Sequence, residues 1–512
     1  MKRKNFLVSL GGIAGGLTAY PLFSFKRPDS ASQSLLNNDL INQPSSRSEI
    51  MKRIGIPLKI QPVFLYDLPV RREATSYRPW GGIIEQEDVN NEVIRIQEEL
   101  KKLESHADFP VSLNPLLEVN SDDKARIACE SDSDVILLYA AGNGRDRIDM
   151  MTNSGKDVVM FLRHQSGPVY LWYEIVHPRL LRKESDEYVY PNFDIEDVVV
   201  DDYNLVLVRL RALYGLKNIR NTTILAINGV GGWGGLTDNA KKAINEIWHL
   251  KTPTAEMTEL TSLVEKKLND SSEMKRAEDD MKEYLSDKYI LSVNAKREYI
   301  LNGFILYHAL KDMMKKYDAE GVTIRGCMGI GPHVKTTACL PFSLINDEGL
   351  MAFCESDFVV IPSGVLMRYI SGKPSFLNDP TLPHHGITTC AHCTAPRRMD
   401  GTNLEPAHVY THFESDYGST PKVEFHKGQV ITNIIPDFNS KKWVGFSGVI
   451  TDHPFYKICR SQFDCTIEGD WKKLLKDMRG FHWMTCYGDY LQEIAYATKK
   501  AGIEFENISE QV

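Results

Sequence analysis

Val135-Ile136-Leu137-Leu138-Tyr139, Val158-Val159-Met160-Phe161-Leu162 and Ile224-Leu225-Ala226-Ile227 are short, unbroken apolar runs. A strand with one wet face alternates polar and apolar residues, whereas an unbroken run needs cover on both faces. That is the condition of a parallel sheet between helices. Pro62-Val63-Phe64-Leu65-Tyr66 reads as another strand, and residues 88–105 read as a charged amphipathic helix. Strand and helix then alternate, which predicts open α/β sheets. Leu205-Val206-Leu207-Val208-Arg209-Leu210-Arg211 fits either period and is read as helical.

Outward from these runs the chain divides into parts. Residues 51–235 form an N-terminal α/β domain. A second α/β domain covers 236–375, with charged, helix-compatible sequence at 255–283, a long helix over 292–317, and Val322-Thr323-Ile324 as a strand. From 376 to 512 the texture changes to Pro, Gly, Thr and short alternations such as Val423-Glu424-Phe425 and Val430-Ile431-Thr432, which predict an antiparallel β domain. A helix over roughly 484–501 follows.

The first 25 residues begin Met1-Lys2-Arg3-Lys4-Asn5-Phe6-Leu7 and continue mildly apolar, with Gly11, Gly12, Gly15 and Gly16. This resembles a twin-arginine export signal with Lys in place of the second Arg, and predicts an exported, periplasmic protein. No Ala-x-Ala cleavage site is evident, so an uncleaved tether stays open. Residues 26–50, rich in Ser, Asn and Gln, read as a flexible linker. No internal apolar run reaches the ~20 residues that span a bilayer.

The 512 residues carry 68 acidic and 60 basic side chains, a net charge of −8 that argues against nucleic acid as a partner. Nine scattered cysteines do not make a disulfide framework in a chain of this size. Cys390-Ala391-His392-Cys393 holds the only close pair. It reads as two structural cysteines, as a disulfide or redox pair, or as half of a zinc site with Cys459 and Cys465.

The chemistry concentrates in Ala352-Phe353-Cys354-Glu355-Ser356-Asp357, where an apolar run ends in two carboxylates two positions apart. On a strand, Glu355 and Asp357 would share a face. Ligands of α/β sheets bind beyond strand C-termini, so this position favours a site. Far downstream, Phe481-His482-Trp483 offers one imidazole. Two oxygens and one nitrogen suit a divalent metal with open positions. Arg163, just after a strand, has the chemistry to hold sugar hydroxyls, and Tyr170, Trp172 and Tyr173 that to stack on a sugar face. Gly229-Val230-Gly231-Gly232-Trp233-Gly234 matches Gly-x-Gly-x-x-Gly, but helical sequence follows where a second strand and acid belong, so it is read as a glycine-rich junction loop.

The Glu355-x-Asp357 phrase and the late His482 segment, in that order, resemble the L-fucose isomerase and L-arabinose isomerase superfamily, most closely fucose isomerase-like proteins of unassigned activity. The resemblance implies two Rossmann-like domains with parallel sheets, followed by a C-terminal antiparallel, barrel-like domain. It also implies a homo-oligomer and aldose–ketose interconversion of a small sugar through an ene-diolate at Mn²⁺ or a similar divalent metal. Asp357, His482 and Glu355 would hold the metal, Glu355 would move the proton, and His392 and His412 would line the pocket. The chain departs from the family at one place. A second carboxylate about two dozen residues before Asp357 is expected near 333–339, and Pro332-His333-Val334-Lys335-Thr336-Thr337-Ala338-Cys339 holds no acid. Glu355, His333 or Cys339 would have to replace it. Otherwise the chain is an exported carbohydrate-binding protein on an isomerase scaffold without turnover.

Overall fold

Apolar runs and helices alternate over β1 (Leu58–Leu65), β2 (Val111–Leu113), β3 (Leu117–Val119), β4 (Val135–Ala140), β5 (Asp157–Leu162) and β6 (Val198–Val200). These strands form one parallel sheet in the order β2-β1-β4-β5-β6, with β3 also on β1. β4 is buried along its whole length and β5 from Val158 onward, as unbroken apolar runs require. The computed structural model describes residues 55–510 apart from 143, 174, 177–192 and 236. The export signal and linker expected over 1–50 lie outside the described residues.

Helix Gln86–His106 covers this sheet and inserts Glu92 into the core, where it is fully buried. Arg163, also fully buried, meets Glu92 at 2.5 Å and Glu99 at 2.6 Å. Tyr170 and Tyr203 donate their hydroxyls to Glu92 and Glu99. The sugar-binding role expected of Arg163 is therefore corrected. Its guanidinium is consumed inside the domain by two carboxylates, and Tyr170 is buried with it.

A second parallel sheet follows from β7 (Ile224–Ile227), β8 (Thr254–Ala255), β10 (Gly321–Ile324) and β11 (Met351–Phe353), in the order β11-β10-β7-β8. Between them lie helices Met257–Leu268, Ser271–Ser286 and Arg297–Lys316, and β9 (Ile290–Val293). β7, expected within the N-terminal part, pairs with β10 and so belongs to this second sheet. Leu205–Arg211 is helical as expected, within Tyr203–Ile219.

The C-terminal part contributes β12 (Phe376–Pro380), β13 (Ile387–His392), β14 (Ala407–Tyr410), β15 (Thr420–Val423), β16 (Val430–Pro436), β17 (Lys442–Asp452), β18 (Ser461–Thr466), β19 (Trp483–Tyr487) and β20 (Glu504–Asn507). Six of these run β16-β19-β12-β13-β18-β17 and close again on β16, every pair antiparallel. Closure removes the exposed edges an open sheet would present. A Cβ on Gly448 would lie 2.0 Å from the Thr466 carbonyl oxygen, so β17 can approach β18 there only without a side chain. The α/β class with two parallel sheets and a β-barrel is thus as the sequence predicts.

The terminal helix is shorter than predicted. Residues 483–487 form β19, and the helix occupies Leu491–Lys500. Trp483 and Tyr487 are buried in the barrel and Met484 and Cys486 in the core on its other side, and that two-sided burial overrides any helical period. Leu491, Ile494 and Ala497 pack into the apolar core that also holds Val206, Leu210 and Leu213 of helix Tyr203–Ile219. Among the described residues no helix is long and apolar enough to cross a membrane.

Candidate metal centre

β11 ends at Phe353, and the chain then turns through two consecutive left-handed residues, Glu355 (φ 61°) and Ser356 (φ 54°). Such a conformation costs a non-glycine residue ~1–2 kcal/mol and needs support. Ser356 supplies it. Its N–H donates to Thr323 Oγ1 at 2.9 Å and its hydroxyl to the Gly229 carbonyl at 2.9 Å. The Gly231 N–H donates to the Ser356 carbonyl at 3.1 Å, and a Cβ on Gly231 would sit 2.7 Å from that oxygen. The glycine-rich loop after β7 is therefore the clamp on the Glu355 turn. Glu355 and Asp357 do converge, but through this turn and not through the strand alternation predicted for them.

Asp357 is 2% exposed and both its oxygens are engaged. Oδ1 accepts from the backbone N–H groups of Trp233 and Val359, each at 3.1 Å. Oδ2 lies 2.7 Å from Nδ1 of the buried His482. Asp357 thus fixes the ring and leaves Nε2 facing inward, the arrangement by which a carboxylate orients a metal-binding imidazole. Nε2 lies 3.3 Å from Asp379 Oδ1 and 3.6 Å from Glu355 Oε2. Asp379 Oδ1 is buried without a hydrogen-bond partner, an orphaned acceptor aimed at the same point.

His392, at the end of β13, completes the group. Ligand atoms of Asp379, His392 and His482 all lie within 4.8 Å of one another, and so do those of Cys354, Glu355 and His392. Nitrogen and oxygen donors with a thiol beside them match a divalent transition metal better than Mg²⁺ or Ca²⁺, which take oxygen. Burial alone would lower the pKa of His482. The hydrogen bond to Asp357 and the charges of Asp357, Asp379 and Glu355 outweigh burial and hold it above the usual imidazole value. Trp233 stacks on Phe481 at 3.9 Å and donates its indole N–H to Glu355 Oε2 at 3.0 Å. Both rings are about two-fifths exposed and form an aromatic wall beside the Glu355 carboxylate.

The other expected residues separate. His412 lies against Cys393, its Nδ1 3.2 Å from Ser415 Oγ. Cys339, Cys459 and His412 surround the Cys393 thiol and hold it well below the ordinary value, whereas Cys465 lies beside Cys390. All nine cysteines are unbridged. The Cys390/Cys393 pair is thus split between two thiol groups, and Cys459 and Cys465 fall on opposite sides of that split. His333 is exposed on the short helix Gly331–Val334. Trp172 and Tyr173 are exposed and pack edge-on against Trp80. Asp379 was missed by sequence reasoning. Its only signal is an acid inside the apolar strand Phe376-Leu377-Asn378-Asp379-Pro380.

No family model matches this chain, and no curated protein matches it.

Proposed function

We propose that this site holds a divalent transition metal and interconverts an aldose and a ketose. The observation that carries the reading is the pair of carboxylates, Glu355 and Asp379, flanking the inward nitrogen of His482. The second carboxylate absent from 333–339 has a replacement in space, delivered by the barrel. Asp379, His392 and His482 would hold the ion, Asp357 would orient His482, and Glu355 would stand beside it. When bound, the metal supplies a Lewis acid that polarises adjacent carbonyl and hydroxyl oxygens of an open-chain sugar.

The rest falls to the chain's own side chains. Glu355 is 40% exposed at its side chain, so its carboxylate reaches a bound ligand. It is the group to take a proton from one carbon and return it to the neighbour. The Trp233 indole N–H on Oε2 fixes which oxygen is free to do so. The Trp233–Phe481 wall offers apolar faces for the C–H face of a sugar. We also propose export to the periplasm, from the sequence of residues 1–25.

The test is a screen of aldoses and ketoses in D₂O with metal-loaded protein. Solvent deuterium entering the carbon next to the carbonyl, lost in Glu355→Gln with metal content unchanged, is expected. Saturable sugar binding with no exchange in the wild type would replace this reading with that of a carbohydrate binder.

A further inference from the structure

Cys327 opens the turn after β10, and Cys354 follows β11, the neighbouring parallel strand. Their sulfurs are 3.7 Å apart. Cys354 is buried, while Cys327 is partly exposed and gives the pair an access side. The contact is longer than the ~2.05 Å of a disulfide, and the two thiols face each other directly. We propose that Cys327 and Cys354 are a modification site, a reversible disulfide that governs the Glu355 turn.

The chemistry balances with a peroxide as the oxidant. One thiol attacks a peroxide oxygen, giving a sulfenic acid and releasing one water. The second sulfur attacks the sulfenic sulfur, forming the S–S bond and releasing the other water. Two thiols lose two electrons and two protons, and hydrogen peroxide is reduced to two waters. A dithiol reductant reverses the step by exchange.

The disulfide would act on the site next to it in two ways. It takes the Cys354 sulfur away from its place beside Glu355 and His392. It also ties the left-handed Glu355–Ser356 turn to the segment after β10. The inference does not depend on what the site turns over.

The experiment treats the reduced full-length protein with stoichiometric hydrogen peroxide, blocks remaining thiols, and digests with trypsin and a glutamate-specific protease. Cleavage isolates Gly326–Lys335, holding only Cys327, and Gly349–Glu355, holding only Cys354. A linked pair of these peptides, lighter by two hydrogens and released by dithiothreitol, is expected, with two of the nine thiols lost. Cys327→Ser, which leaves the metal-facing residues intact, must abolish that link. A bridge joining Cys393 to Cys459 or Cys339 instead, or sulfinic acid with no bridge, overturns the proposal. Metal content of the reduced protein is read in parallel, so failure of the metal reading and failure of the disulfide are distinct results.

Discussion

Asp357 holds Nδ1 of His482 at 2.7 Å, so the proposed metal-binding role of His482 rests on that contact. Removing that partner by Asp357→Asn should weaken metal affinity by about 10–100-fold, the usual effect of losing an orienting carboxylate. His482→Ala and Asp379→Asn should each remove most of the bound metal. Elemental analysis of the three variants beside wild type checks the ranking, and full metal retention in Asp379→Asn would take Asp379 out of the site. The pH dependence follows from the raised pKa of His482. In the metal-free protein, its charge contributes stability below the unfolded value of ~6.5, and this is lost as pH rises through the higher folded value. Metal must displace the same proton, so affinity should climb with pH up to that folded value and then level off. Titrations of affinity against pH would read this directly. Glu355 and Asp357 drew notice because they end an apolar run, whereas His482 stood out only through the family resemblance, since its aromatic neighbours equally fit a core residue. Asp379 was not legible, since nothing near it in sequence says that barrel closure brings β12 to His482.

Among the elements, the turn after β11 and the loop after β7 form one device. Gly231→Ala puts a methyl group against the Ser356 carbonyl, and overpacking of this kind costs ~1–3 kcal/mol. It should also lower metal affinity, because the same shift moves Trp233, whose N–H holds Asp357. Denaturation and metal titration of one variant measure both effects. Helix Gln86–His106 gives a second case. Glu92→Gln leaves Arg163 buried with half its compensation, and loss of one partner of a buried pair costs ~3–5 kcal/mol. A variant as stable as wild type would return Arg163 to the list of residues free to bind ligand. The strands of both parallel sheets were legible as unbroken apolar runs. The Glu355 turn was not, because two left-handed non-glycine residues leave no signature in composition. β19 was misread because it runs within a few residues into helix Leu491–Lys500, although Trp483, Thr485 and Tyr487 are themselves strand-favouring residues.

For the whole molecule, a partly buried carboxyl beside the barrel carries a titration of its own. Burial pushes Glu405 up to about 7, with Tyr487 donating to it at 3.1 Å. A carboxyl whose folded pKa is raised favours the folded state while protonated. That contribution is complete below its unfolded value of ~4.3 and disappears as pH rises through about 7. Glu405→Gln should therefore match wild type near pH 4 and exceed it by ~1–3 kcal/mol at pH 8. Chemical denaturation at the two pH values distinguishes this from a uniform gain.

The packing of helix Leu491–Lys500 on helix Tyr203–Ile219 also has a consequence in time. The hydroxyl of Tyr496 reaches Asp197 across 299 positions of sequence, and Glu493 reaches Arg211 across 282. A ribosome adding ~5–20 residues per second releases the earlier helix on the order of ten seconds to a minute before the later one. Through that interval the first α/β layer carries an uncovered apolar face, a natural landing place for chaperones. A translocase that accepts only folded cargo would have to wait for the last helix before it could take the first domain.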